Sequence, residues 1–145
     1  MKEYAMTIKL QEIWSLLDCF PLAQLATIDN DQPRVRPMAL ITHNGSIWFS
    51  SKSEWSKVEQ IQNNEKVEFT VSPKSPSATG SIRCTAIAEI EEDLKTKEDV
   101  AKAIPWFSNY WNGHEDPNFT LIKMKLSRVL YDNPFDGNKY TVELS

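Results

Sequence analysis

Glycine is scarce in this sequence, with four in 145 residues, and none stands in a GxGxxG or GxxxxGK arrangement. That excludes phosphate binding through a glycine-rich loop. Histidine is scarcer still: His43 and His114 are the only two, and they lie far apart. The two cysteines, Cys19 and Cys84, form no CxxC and have no histidine beside them. A zinc site needs tighter clustering of its ligands, so no metal centre is expected, and the thiols read as reduced, half-buried small hydrophobes. Nothing points to a Ser-His-Asp or Cys-His site. No apolar run approaches the roughly 18 residues of a membrane span. The opening "MKEYAMTIKLQEIWSLLDCF" lacks the basic-then-apolar order of a signal peptide. These absences predict a cytoplasmic protein with no membrane partner. A positive balance is missing too: the formal net charge is −4 and the pI about 5.2. A general nucleic-acid binder carries a basic surface, so that partner is not expected. The same balance argues against a barrel for single-stranded nucleic acid, although aromatics are present.

The chain is long enough for one domain with its own core, spanning 1–145, and shows no repeat or dividing linker. "TIKLQEIWSLLD" spaces Ile8, Leu10, Ile13, Trp14, Leu16 and Leu17 as an amphipathic helix, with Thr7 as a possible cap. "FPLAQLATIDNDQPRVRPMALITHNGSIWFSS" reads as strand, turn, strand, turn, strand. Asn44-Gly45 between β-rich runs is a strong hairpin signal. "SEWSKVEQIQNN" reads as a helix capped by Ser53, with Val58 and Ile61 on one face. "KVEFTVSP" is a short strand and "SPKSPSATG" an exposed loop. In "SIRCTAIAEIEED", Ile82, Cys84, Ala86, Ala88 and Ile90 alternate with Arg83, Thr85, Glu89 and Glu91. "TKEDVAKAI" is a helix capped by Thr96 and stopped by Pro105. An aromatic loop, "PWFSNYWNGHEDP", precedes a last long strand, "FTLIKMKLSRVLY", in which Thr120, Ile122, Met124, Leu126 and Leu130 share a face. "KYTVEL" adds a short final strand. Hairpins dominate and no βαβ rhythm appears, which predicts an antiparallel barrel or strongly curled sheet with helices around it.

The charges in "RVRPMALITHNGSIWFSSKSEWSKVEQI" have no structural need. A two-residue Asn44-Gly45 loop pairs His43 with Ser46 and Ile41 with Trp48. Continued, it pairs Leu40 with Phe49, Ala39 with Ser50 and Met38 with Ser51. Arg36, Met38, Ser51 and Ser53 then share a face where the next helix begins, unless a bulge at Pro37 shifts them. Lys57 falls in that helix's first turn, where a cation is unfavourable by about 0.3–1 kcal/mol. Two readings stay open. Arg34, Arg36 and Lys57 are solvated surface charges, or they hold a phosphate together with the free helix amides and serine hydroxyls. Met38, Leu40 and Phe49 would then form an apolar wall, suiting a flat cofactor with a phosphate tail.

The segment "DNDQPRVRPMALITHNGSIWFSSKSEWSKVEQIQNNEKVEFTV" resembles the core of the FMN-binding split β-barrel family, the pyridoxamine 5′-phosphate oxidase-like flavoproteins. It is most similar to their small, general-stress-protein-like branch. The resemblance runs from about Phe20 to Tyr131. It implies a six-stranded antiparallel split β-barrel with flanking helices, a homodimer, and two FMN sites at the dimer interface. By that resemblance Arg36 and Lys57 hold the FMN phosphate; Arg34, two residues before Arg36 on the same strand, is a further cofactor-binding candidate from its charge alone. Pro37 and Met38 pass the isoalloxazine ring, and Phe49, Ser50 and Ser51 lie near the ring and ribityl chain. Ser56 stands where many members have arginine, and Trp55 where a small polar residue is more common. The partner subunit usually completes the site; Arg83, Trp106 and Trp111 are the candidates, although the four aromatics from Trp106 to Trp111 equally fit a dimer contact or core. The tail "DNPFDGNKYTVELS" lacks the Arg-x-His of true pyridoxamine phosphate oxidases, and Ile41 replaces an expected lysine. Pyridoxine phosphate is therefore a poor substrate expectation. The implied activity is FMN-dependent oxidoreduction of a small unknown substrate, with no catalytic side chain assigned. The alternatives are a flavin carrier or stress sensor, or a binder of deazaflavin or haem; His43, at the hairpin tip, counts against haem.

Overall fold

The computed structural model describes the backbone of residues 2–144 and the side chains of residues 9–144. Helix α1 (Lys2–Leu17) leads into β1 (Leu22–Asp29), β2 (Gln32–Ala39), β3 (Ile41–His43) and β4 (Ser46–Lys52). Helix α2 (Ser56–Asn63), β5 (Lys66–Val71), β6 (Ser81–Ile90) and helix α3 (Leu94–Ala103) follow. A short 3-10 turn (Phe107–Asn109), β7 (Phe119–Asp132) and β8 (Lys139–Glu143) complete the chain. Among the described residues no helix is long and apolar enough to cross a membrane.

All strand pairs are antiparallel, in the order β2-β1-β5-β6-β7-β4-β3, with β8 added to β7. The two strands at the ends of this order, β2 and β3, are joined by Leu40 alone. The sheet must therefore curl until its edges meet at that corner. This is the split-barrel architecture, with two strands beyond six. The short β3 continues β2 past a kink, and β8 pairs with β7 only.

Both tight turns follow local chemistry. Asn44 (φ 50°) and Gly45 (φ 73°) make the β3–β4 turn with both central residues in the left-handed region, as their sequence favours. Asn30 (φ 59°) does the same work between β1 and β2. The interior cluster gathers Leu25, Phe49, Phe69, Ile82, Ile122 and Tyr131, and α1 adds Ile13 and Leu17. Each such fully buried side chain contributes about 1.5–3 kcal/mol. A second cluster lies on the opposite face of β4 and β7, where Trp48, Phe119 and Leu121 meet Val100, Ala101 and Ile104 of the α3 segment, together with Trp111.

Several local readings are corrected. Thr7 is no cap: α1 begins at Lys2, and the side chains of Thr7 and Ile8 lie outside the described residues. The cap of α3 is Asp93, which accepts hydrogen bonds from both the Thr96 amide and hydroxyl. The helix still ends at Ala103, ahead of Pro105. In β7 the inward face changes at Ser127, where the register with β6 shifts. Beyond that bulge Val129 and Tyr131 are buried and Leu130 is not, because one extra residue reverses the alternation.

Candidate functional site

The β3–β4 hairpin pairs Ile41 with Trp48 and His43 with Ser46, as its turn dictates. The pairing ends there. Ala39 pairs instead with Leu22 of β1, and the Leu40 amide donates to the Pro21 carbonyl at 2.9 Å. Ser50 and Ser51 pair with Leu121 and Thr120 of β7. The expected pairs Leu40–Phe49, Ala39–Ser50 and Met38–Ser51 do not form. The local β1–β2 hairpin captures the whole of β2, and Pro37 has no N–H to offer a second partner. Where β2 parts from β4, a cleft of about 310 Å³ opens, with Pro37, Met38 and Ala39 on one side and Ser50 on the other. Trp55, Lys57, Trp106, Tyr110 and Trp111 complete its lining.

The aromatic wall is held from behind. Phe107 and Trp111 each pack on Phe119 with ring centroids 4.9 Å apart, and Trp106 meets Phe20 edge-on at 5.5 Å. The Trp111 Nε1 donates to the Asn118 carbonyl at 2.9 Å. Trp106 and Trp111 thus line the cleft of their own chain. Ser53 is not the cap of α2. Its hydroxyl donates to the Pro117 carbonyl at 2.9 Å and shares a hydrogen with Thr120 at 2.6 Å, tying the chain before α2 to the start of β7. Trp55 takes the cap position and offers no side-chain acceptor; the Val58 amide donates to the Trp55 carbonyl at 3.1 Å, which leaves the Ser56 and Lys57 amides of the first turn for a ligand or water.

Lys57 is the electrostatic centre. It is 8% exposed, its Nζ donates to the Ser51 hydroxyl at 3.3 Å, and it lies 4.2 Å from the centroid of the Trp55 ring. Among the described residues no carboxylate lies within 4 Å of it. Burial, and then the nearby Arg36 guanidinium, push its pKa down from 10.5 to about 8. Arg36 is half-buried and donates to the Leu25 carbonyl at 3.1 Å and to Gln60 Oε1 at 2.9 Å. Gln60 Oε1 also accepts from the Thr27 hydroxyl at 2.6 Å. Two cations therefore come together near the first turns of α2, and although Glu59 lies in that helix's first turn, among the described residues no carboxylate is within 4 Å of either cation.

The other expected positions separate. Arg34 points away and pairs with Asp29 at 3.3 Å on the surface, a contact worth about 0–1 kcal/mol. Phe49 is fully buried in the interior, edge-on to Phe69, and does not line the cleft. Ser51 is fully buried and reaches the site only through Lys57. Ser56 is exposed at the first position of α2. Arg83 borders a different depression, with Tyr131, Asp132 and Tyr140. Tyr110 and Gln60 were missed by sequence reasoning. Tyr110 stood inside the aromatic run already noted, and Gln60 lies three residues after Lys57, on the same side of the helix.

A model of the family described as pyridoxamine 5′-phosphate oxidase like matches residues 9–141. General stress protein 26 of Bacillus subtilis (strain 168) is 22% identical over 137 residues, covering 92% of this chain and 95% of that protein. The crystal structure of a NimC/NimA family protein from Clostridium acetobutylicum superposes with a TM-score of 0.77 at 24% identity, over 92% of this chain and 91% of the other. General stress protein 26 from Bacillus anthracis str. Sterne superposes with a TM-score of 0.75 at 21% identity, over 92% and 97%.

Proposed function

The chain belongs to the pyridoxamine 5′-phosphate oxidase-like family, and from that premise we propose that it is an FMN-binding flavoprotein, an oxidoreductase acting on a small substrate. The observation that carries this reading is Lys57: a lysine 8% exposed, at the start of a helix and in the lining of an aromatic cleft, with no carboxylate beside it among the described residues. An unpaired buried cation is costly, and a phosphate offsets that cost. The residues fit the group. Lys57, the first amides of α2 and the three guanidinium N–H groups of Arg36 not engaged by Leu25 or Gln60 would hold the phosphate. Met38, Trp106, Tyr110 and Trp111 would flank the ring, and their apolar faces exclude water. The cleft falls within the size range of small-ligand sites.

Bound flavin would supply the redox chemistry, while the protein binds and orients. Among the described residues the cleft lining holds no carboxylate or histidine; its titratable side chains are Lys57 and Tyr110, and no catalytic role is assigned to either. A homodimer is part of this reading. Leu22 and Val35, 63% and 67% exposed, stand on the outer face of β1 and β2, where a second copy would cover them. The strand registers align Pro37, Gln24, Thr70 and Arg83 in one row across that face. Arg83 would then reach the partner's cleft rather than its own.

The test is to add excess FMN to the purified protein, desalt, and record its visible spectrum, followed by NAD(P)H oxidation with an acceptor. Retained flavin bands with turnover support the oxidoreductase. Retained bands without turnover leave a flavin carrier or sensor. A colourless protein refutes flavin binding.

A further inference from the structure

We propose that the mouth of the cleft carries a second anion-recognising point, Lys52 held between Trp55 and Tyr110, which selects a planar, negatively charged second ligand of the aromatic carboxylate class. This rests on the flavin reading, because it names the class of the co-substrate. The Lys52 Nζ lies 5.7 Å from the Trp55 ring centroid and 5.9 Å from that of Tyr110. Both distances fall within the reach of a cation–π attraction. Lys52 is the last residue of β4, and strand alternation puts it on the same face as Ser50, which lines the cleft. Trp55 and Tyr110 also line the cleft, and they remain 42% and 50% exposed. Among the described residues no carboxylate lies within 4 Å of Lys52.

The same indole thus has two ammonium groups near it, and they differ in burial. Lys57 is buried at 4.2 Å from the Trp55 ring and accounts for a phosphate. Lys52 is half-buried and stands behind the lining, next to Trp55 and Tyr110 at its edge, and a phosphate held at Lys57 leaves it uncompensated. Its surroundings are ordered by the Ser53 contacts to Pro117, Asn118 and Thr120 on one side. The packing of Tyr110 on Trp111, at 5.5 Å, orders the other. Exposed ring faces accept a flat group by stacking, and the ammonium adds a charge-assisted contact that only an anionic ligand gains. A neutral amide of the same shape gains the stacking alone.

The experiment titrates benzoate and benzamide, read by tryptophan fluorescence, against the FMN-loaded protein. A second arm uses flavin-free protein with Lys57 saturated by inorganic phosphate. Benzoate is expected to bind about tenfold more tightly than benzamide, a difference of about 1.4 kcal/mol. Lys52→Met should make the two equal, Lys52→Arg should restore the preference, and Lys52→Glu should place benzoate below benzamide. FMN affinity should be unchanged in Lys52→Met. Equal binding by the wild type, or a preference that survives Lys52→Met, overturns the proposal. So does a loss of FMN affinity in Lys52→Met, which would assign Lys52 to the cofactor. If FMN does not bind the wild type, the flavin reading fails, and the phosphate arm still decides Lys52.

Discussion

Replacing Lys57 by methionine should make the ligand-free protein more stable and, on the proposed flavin reading, weaken FMN binding. The lysine is nearly buried, and its pKa falls from 10.5 to about 8. A shift of that size corresponds to roughly 3 kcal/mol disfavouring the charged form in the folded state. Methionine keeps an unbranched apolar stem in the same space and removes the charge. Two contacts are lost, the donation to Ser51 and the approach to Trp55, each worth about 0.5–1 kcal/mol. The net gain at pH 7 is therefore about 1–2 kcal/mol, a rise in Tm of about 3–8 °C for a chain of this size. FMN affinity should fall about 10- to 100-fold, the worth of one charge-assisted contact. Urea unfolding of both proteins without flavin, with FMN titrations beside it, measures both quantities. The pH supplies an internal control. Below pH 8 the lysine is charged in both folded and unfolded chains, and its burial cost is fully present. From about 8 to 10.5 the unfolded chain holds more protons than the folded one, so wild-type stability rises with pH relative to Lys57→Met, and the gap closes. If Lys57→Met destabilises the flavin-free protein at pH 7 and leaves FMN affinity unchanged, the reasoning about an unpaired buried cation is wrong.

FMN binding should weaken above about pH 8, approaching tenfold per pH unit, because the phosphate then requires Lys57 to take up a proton; fluorescence titrations from pH 7 to 10 would show a flat curve if Lys57 is not a phosphate ligand. The double variant Arg36→Ala, Lys57→Ala should release FMN on desalting, at roughly 1.5–3 kcal/mol per contact, and retained colour would count against the site. Gln60→Leu should cost about 1–3 kcal/mol in urea unfolding, since Thr27, 1% exposed, and Arg36 both lose their shared acceptor; a neutral effect would mean the Gln60 bridge is not maintained in solution. Gly80→Ala should destabilise by about 1–3 kcal/mol, because an added Cβ would clash with the Asp132 carbonyl oxygen and the Pro134 ring. An unchanged Tm would show that the β6–β7 end yields easily.

Much of the fold was legible because its signals are local. The alternation of Ile82, Cys84, Ala86 and Ala88 names the inward face of β6 directly, and all four are buried. Asn44-Gly45 sets the turn and the register of the three pairs next to it. The errors came where a second partner competed. Ser53 has the chemistry of a helix cap, yet its hydroxyl is taken by Pro117 and Thr120, brought near by the β4–β7 ladder. Leu130 continues a hydrophobic alternation that a bulge reverses. Phe49 fits an aromatic cofactor wall in sequence, but burial in the interior is the stronger demand.

The sequence by itself determined the strands, the two tight turns, the helix carrying Lys57 and the convergence of positive charge near it. Each depends on periodicity, backbone preference or spacing along a few residues. Only the tertiary structure decided that β2 leaves β4 at Leu40, that the gap becomes a cleft, and that Trp55, Trp106, Tyr110 and Trp111 wall it. A strand has two edges, and which neighbour takes each edge depends on the whole sheet closing. No local run of residues contains that choice, and the site exists because of it.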